Sequence, residues 1–180
     1  AEFAGQKRRL IVASFDQPGI MKRHRHDDVD PGFENILARH FQHGRQKPRI
    51  FGPVHKFESQ NQILGRALLE SVLFYDGKCI FTTVTMDEME FYGVTGRELG
   101  GIVEQLRLTD GVEVAIFLYQ TGEEEYKVSL RSKKKIDVAA IATQFGGGGH
   151  VRAAGYTAKG SVYQIINSIG ELIEKQYNAM

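Results

Sequence analysis

Four consecutive glycines, Gly146, Gly147, Gly148 and Gly149, separate an apolar helix-like run at 138–145 from the small-residue string Ala153-Ala154-Gly155. Glycine disfavours a helix interior, so the helical pattern has to stop at this run. Stripped of side chains, the backbone there can take positive φ and turn successive amides toward one small anion. His150 and Arg152 follow at once and supply donor or cationic side chains at the rim. The expectation is a phosphate-binding loop. A flexible linker fits less well, because linkers usually carry serine and run longer than this tightly bounded segment.

Upstream, the pattern alternates between helical and extended periodicity. Ile63, Leu64, Ala67, Leu68 and Val72 recur at helical spacing. Asp76-Gly77 makes a tight turn between extended runs at 72–75 and 78–84, a hairpin signature. Thr85 with Glu88 forms a capping box for a short helix ending near Gly93, and Leu99, Ile102, Val103 and Leu106 mark the next helix. Residues 112–119 and 126–130 read as strands joined by a polar turn. Asp137 caps the helix that leads into the glycines, and Ser161 with Gln164 caps a C-terminal helix to about Tyr177. Helix, two strands, helices, two strands, helix, loop and helix make an α/β fold with a central mixed β-sheet flanked by helices.

Three segments in order carry a family resemblance: Ser129-Leu130-Arg131-Ser132, then Ile136-Asp137-Val138-Ala139-Ala140-Ile141-Ala142, then the glycine run with His150 and Ala153-Ala154-Gly155. Together they resemble the DHH-associated C-terminal domain of the DHH phosphoesterases, over about residues 58–178. The match is most similar to the oligoribonuclease/pAp phosphatase group, often called nanoRNases. In that family an Asp-His-His domain holds the metal ions and the catalytic residues. No Asp-His-His triplet occurs in this sequence, and His26-Asp27-Asp28 has the wrong order. The resemblance therefore implies a substrate-binding half that catalyses nothing alone. It binds no cofactor itself, and a divalent Mn or Mg ion is expected on the missing catalytic domain.

Under that resemblance the substrate-binding residues are Arg131, Ser132, Gly146, Gly147, Gly148, Gly149 and His150, with no catalytic or metal-ligating residue in the chain. A guanidinium at a strand end can grip a phosphate bidentately, which lysine cannot copy; a solvated strand-end charge is the competing reading. Lys133-Lys134-Lys135 adds positive potential, but a solubilising charged turn is the favoured role. Arg152 ranks below His150, and Ala153, Ala154 and Gly155 are read as spacers packed under the loop. Tyr156 and Tyr163 could stack a base or fill a core.

The first 56 residues differ in chemistry from the rest. They carry 11 Lys/Arg against 6 Asp/Glu and five of the six histidines, whereas residues 57–180 carry 12 against 16. Two domains follow: 1–56, a basic segment that is a linker or a remnant of the missing domain, and 57–180, the substrate-binding domain. His24, His26, Asp27, Asp28 and Asp30 invite a metal, yet Lys22, Arg23 and Arg25 oppose a cation, so a solvated segment is favoured. No apolar run approaches the ~20 residues needed to cross a bilayer. The single cysteine, Cys79, sits in an apolar strand pattern and suits a reducing cytoplasm.

The partners expected are a nucleotide or short single-stranded RNA or DNA, the missing DHH domain and, through apolar surface that domain would leave, a homodimer. No membrane partner is expected. The functional expectation is a phosphoesterase half acting on short RNA oligonucleotides or pAp. Two alternatives remain open: a non-catalytic nucleic-acid-binding module, or part of a cyclic-dinucleotide phosphodiesterase.

Overall fold

The computed structural model describes residues 56–180, so the N-terminal charge cluster and its histidines lie outside the described residues. Twelve elements follow: α1 (Lys56–Leu69), β1 (Val72–Phe74), β2 (Cys79–Val84), α2 (Met86–Tyr92), a 3-10 turn (Gly96–Leu99), α3 (Ile102–Leu108), β3 (Val114–Gly122), β4 (Glu125–Ser132), α4 (Val138–Gln144), β5 (Gly148–His150), β6 (Ala153–Lys159) and α5 (Val162–Asn178). The strands form one six-stranded sheet in the order β1-β2-β3-β4-β6-β5. Among the described strands only β2 and β3 pair in parallel, and α2 and α3 supply the crossover that a parallel pair needs. The α/β class with a central mixed sheet is the one expected.

The central strands direct alternate residues to opposite faces, and the two faces have separate cores. Val114, Ile116, Leu118, Val128 and Leu130 point to the face covered by α4 and α5, where Ile141, Ile165, Ile166, Ile169 and Ile173 meet them. Ile80, Val84, Ala115 and Phe117 point to the other face, under Ile63 and Ala67 of α1 and Ile102, Val103 and Leu106 of α3. Thr82 is buried on that second face, and its hydroxyl donates to the Ala67 carbonyl at 2.7 Å. Polar groups in a dry interior need such a partner.

All three helix caps read from the sequence are made. Thr85 and Glu88 form a reciprocal capping box, Asp137 accepts from the Ala140 amide at 3.0 Å, and Ser161 pairs with Gln164. The Asp76-Gly77 turn has positive φ at both residues, as a hairpin turn requires. Leu99, Ile102, Val103 and Leu106 are all buried as expected, but not on one helix. Gly101, at φ 97°, breaks the run into a 3-10 turn and α3.

The main departure lies past the glycines. Ala153, Ala154 and Gly155, read as spacers packed under the loop, instead open β6, which is inserted between β4 and β5, so the order contains a hairpin where a loop was expected. Ala154, Tyr156 and Ala158 do alternate inward, but the weak strand preference of alanine and glycine hides that period.

A polar knot closes the end of the sheet nearest α4. Glu113 Oε1 accepts from the backbone amides of Lys134, Lys135 and Ile136. The lysine run thus wraps its own anion. Cys79 is fully buried, and desolvation pushes its thiol up to about 12, so it stays a neutral thiol. Native protein at pH 8 is expected to resist alkylation by iodoacetamide, with Cys79 labelled only once denaturant unfolds the chain. Glu113→Ala should lower stability by about 2 kcal/mol in urea unfolding, since three amides lose a charged acceptor.

Candidate functional site

The register of the sheet gathers the residues of interest on one face. Arg131 lies opposite Ala115 on one side and Ala153 on the other, and Ala153 is paired with His150. Paired residues point to the same side, so Arg131 and His150 share a face and stand two strand spacings apart, about 10 Å. The next row along is Phe117, Ser129, Gly155 and Gly148. Between Arg131 and His150 the floor therefore holds only Ala153, Gly155, Gly148 and the short hydroxyl of Ser129. Helices α1 and α3 bury the β2 and β3 part of this face, whereas His150, Gly148, Thr157 and Lys127 are exposed. The result is an exposed strip of small residues, termed the trough below, with a cationic side chain along one side and an imidazole along the other.

Arg131 is partly occupied. Its Nε donates to Glu104 Oε1 of α3 at 2.6 Å, and its Nη1 donates to the Leu130 carbonyl at 2.9 Å. Of five guanidinium N–H groups, three remain for a ligand.

Ser132 is placed otherwise. Alternation along β4 turns it to the buried face, where it is 2% exposed and its hydroxyl donates to the Ile136 carbonyl at 2.7 Å. Ser132 does not reach the trough. Ser129 does, two residues before Arg131 on the same face. Period 2 through β4 was the signal in the sequence that could have selected Ser129 over Ser132.

The glycine run does two separate jobs rather than forming one concave cradle. The amides of Gly146 and Gly147 turn back onto the Thr143 and Ala142 carbonyls and finish α4, with Gly146 at φ 76°. Gly148, Gly149 and His150 then form β5, the edge of the sheet among the described residues. An edge strand directs alternate peptide groups away from its neighbour, so this stretch offers backbone donors and acceptors along the rim. A Cβ on Gly147 would strike the Gly155 carbonyl and Tyr156, and one on Gly149 would strike the Ala153 carbonyl and Ala154. Around Gly148, by contrast, there is open space and no positive φ to require glycine.

Arg152 has a structural job. Its guanidinium donates to the carbonyls of Ile136, at 2.8 Å, and Lys134, and its own carbonyl accepts from the Ser132 amide at 3.2 Å. The Val138 amide donates to the Val151 carbonyl at 3.0 Å. The β5–β6 hairpin tip is thereby strapped to the turn before α4, which fixes His150 beside the trough. Tyr156 faces the core, stacked on Phe145 with centroids 4.7 Å apart, and burial pushes its hydroxyl pKa up. Tyr163 is 38% exposed at the start of α5. Among the described residues, no three His, Cys, Asp or Glu side chains gather as a metal-binding group, and no helix is long and apolar enough to cross a membrane.

Residues 76–176, more than half of the chain, match the DHHA1 domain. The chain belongs to the DHHA1 domain family. The DHHA1 match takes in β2 to β6, with Arg131, the glycine run and His150. The bifunctional oligoribonuclease and PAP phosphatase NrnA of Thermus thermophilus is 47% identical over 55 residues, 31% of this chain and 17% of that protein. An exopolyphosphatase-related protein from Bacteroides fragilis has the same fold, with a TM-score of 0.60 at 22% identity over 82% of this chain and 44% of that one. A pGpG-specific phosphodiesterase, PggH of Vibrio cholerae, overlaps more loosely, with a TM-score of 0.49 at 11% identity over 86% of this chain and 53% of its own. The chain spans less than half the length of the first two proteins. Residues 76–176 are thus the DHH-associated domain that the ordered sequence motifs indicated.

The glycines separate into fold and surface roles that stability measurements can resolve. Gly147→Ala and Gly149→Ala are each expected to cost about 1–3 kcal/mol, because backbone must move to admit the methyl. Gly148→Ala should stay within about 1 kcal/mol of the parent in the same thermal or urea unfolding.

Proposed function

We propose that this domain holds the phosphate and nucleoside of a short oligonucleotide or of pAp for a metal-dependent DHH phosphoesterase. The observation that carries the reading is the trough itself, with Arg131 and His150 on one face of the sheet, either side of a floor of glycine, alanine and one serine. A planar guanidinium suits a phosphate, and the absence of side chains lets a sugar–phosphate backbone lie close to the sheet. The local identity to NrnA supports a nucleotide substrate in particular.

In this reading Arg131 neutralises and orients the phosphate, His150 donates to a phosphate oxygen from the opposite wall, and Ser129 adds a hydroxyl between them. Gly148 leaves room for the ligand to approach the sheet edge. A DHH domain would supply the divalent ion that activates the attacking water. In the same reading this domain's part is to bind and position. Ser132 and Arg152 act one step back, by fixing the end of β4 and the hairpin that bears His150.

Calorimetric or NMR titration of the chain with pAp and with a 5′-phosphorylated diadenylate tests this. Saturable binding that survives moderate salt is expected, at least tenfold weaker in Arg131→Ala and His150→Ala and several-fold weaker in Ser129→Ala. Ser132→Ala should instead lower stability by about 1–2 kcal/mol and leave the affinity unchanged. Binding that falls steeply with salt and ignores these changes would sink the proposal in favour of a general nucleic-acid-binding module.

A further inference from the structure

Glu104 makes the shortest contact in the trough wall, yet no feature of the core requires it. Its Oε1 lies 2.6 Å from Arg131 Nε, and its Oε2 lies 3.6 Å from Nε of Arg107, one turn further along α3. The carboxylate side chain is 43% exposed, against 26% for Arg131. Meanwhile Ile102, Val103 and Leu106 anchor α3 in the second core, so the backbone beneath Glu104 is fixed and only its side chain is free to move.

A guanidinium grips a phosphate or a carboxylate best side-on, through Nε and one Nη together. Glu104 occupies the Nε half of that fork, and the Leu130 carbonyl takes one hydrogen of Nη1. A phosphate seeking Arg131 side-on would need the position where the Glu104 oxygen now sits. An ion pair this exposed contributes little net stability, so a doubly charged phosphate can displace it. The departing carboxylate already has a second cation in Arg107.

We infer that Glu104 is a placeholder anion. It keeps Arg131 extended along the trough wall while the site is empty, and yields to the substrate phosphate by shifting onto Arg107. The inference rests on Arg131 being the phosphate ligand, and it makes Glu104 and Arg107 the pair that sets how tightly that ligand binds.

Titration of the full chain with inorganic phosphate and with pAp, read by affinity and by the Arg131 Nε–Hε NMR resonance, tests it. Glu104→Gln keeps the size and removes the charge. It should tighten binding roughly two- to fivefold, the range set by losing a competing exposed ion pair. The resonance of the free variant should already be shifted from that of the parent. Arg107→Gln should weaken binding, because Glu104 then has Arg131 as its one cation. Glu90→Gln removes the same charge from exposed α2 and should change nothing.

Weaker or unaltered binding in Glu104→Gln, or an equal gain in Glu90→Gln, would overturn the inference. If the parent chain binds pAp, loses it in Arg131→Ala, yet ignores Glu104→Gln, only the placeholder role falls. If the parent binds neither phosphate nor pAp, the functional reading falls first and this inference with it.

Discussion

Strand β4 is shared between the core and the trough, and the alternation of its side chains ties one to the other. It lies between β3 and β6. Val128, Leu130 and Ser132 point into the core beneath α4 and α5, which locks the strand's register. That lock forces Lys127, Ser129 and Arg131 onto the opposite face. A slip of one residue would bury a guanidinium and expose Leu130, so core energetics hold the site in place. The trough exists because β4 cannot be paired any other way.

Polar contacts at the end of β4 complete the arrangement. Ser132, Ile136, Arg152 and Glu113 join the strand end, the turn before α4, the hairpin tip and the start of β3 through backbone carbonyls and amides. Buried or half-buried polar groups are costly unless satisfied, and once satisfied they specify one geometry. His150 is exposed and has no core of its own to hold it. Its position comes from this strapping and from the two hairpin glycines that tolerate no side chain.

The charged groups follow a related logic. The lysine run contributes its amides to Glu113, while Lys134 and Lys135 remain exposed. Arg131, in contrast, has its charge balanced by the half-exposed Glu104 carboxylate. Under the proposed role, a cation held by an exposed partner stays ordered and still available, unlike one in a buried ion pair.

Much of this was legible in the residues themselves. Capping boxes, the Asp76-Gly77 turn and the helical spacing of Ile63, Leu64, Ala67 and Leu68 are local signals, carried by side chains within four positions of one another. The ordered motifs around Arg131 and the glycine run were enough to indicate the family. What sequence could not supply was pairing across the sheet. Strand β6 was hidden because alanine and glycine have weak strand preference, and without β6 there was no trough. Ser132 stood beside Arg131 in the chain, but adjacent residues on a strand face opposite ways, so the fold sent it to the core and brought Ser129 into line. Glu104 lies 27 positions from Arg131. Sequence determined which elements form and where they stop, because those choices rest on near neighbours. Tertiary structure decided which side chains share a face, because register between distant strands is fixed by burying one common core.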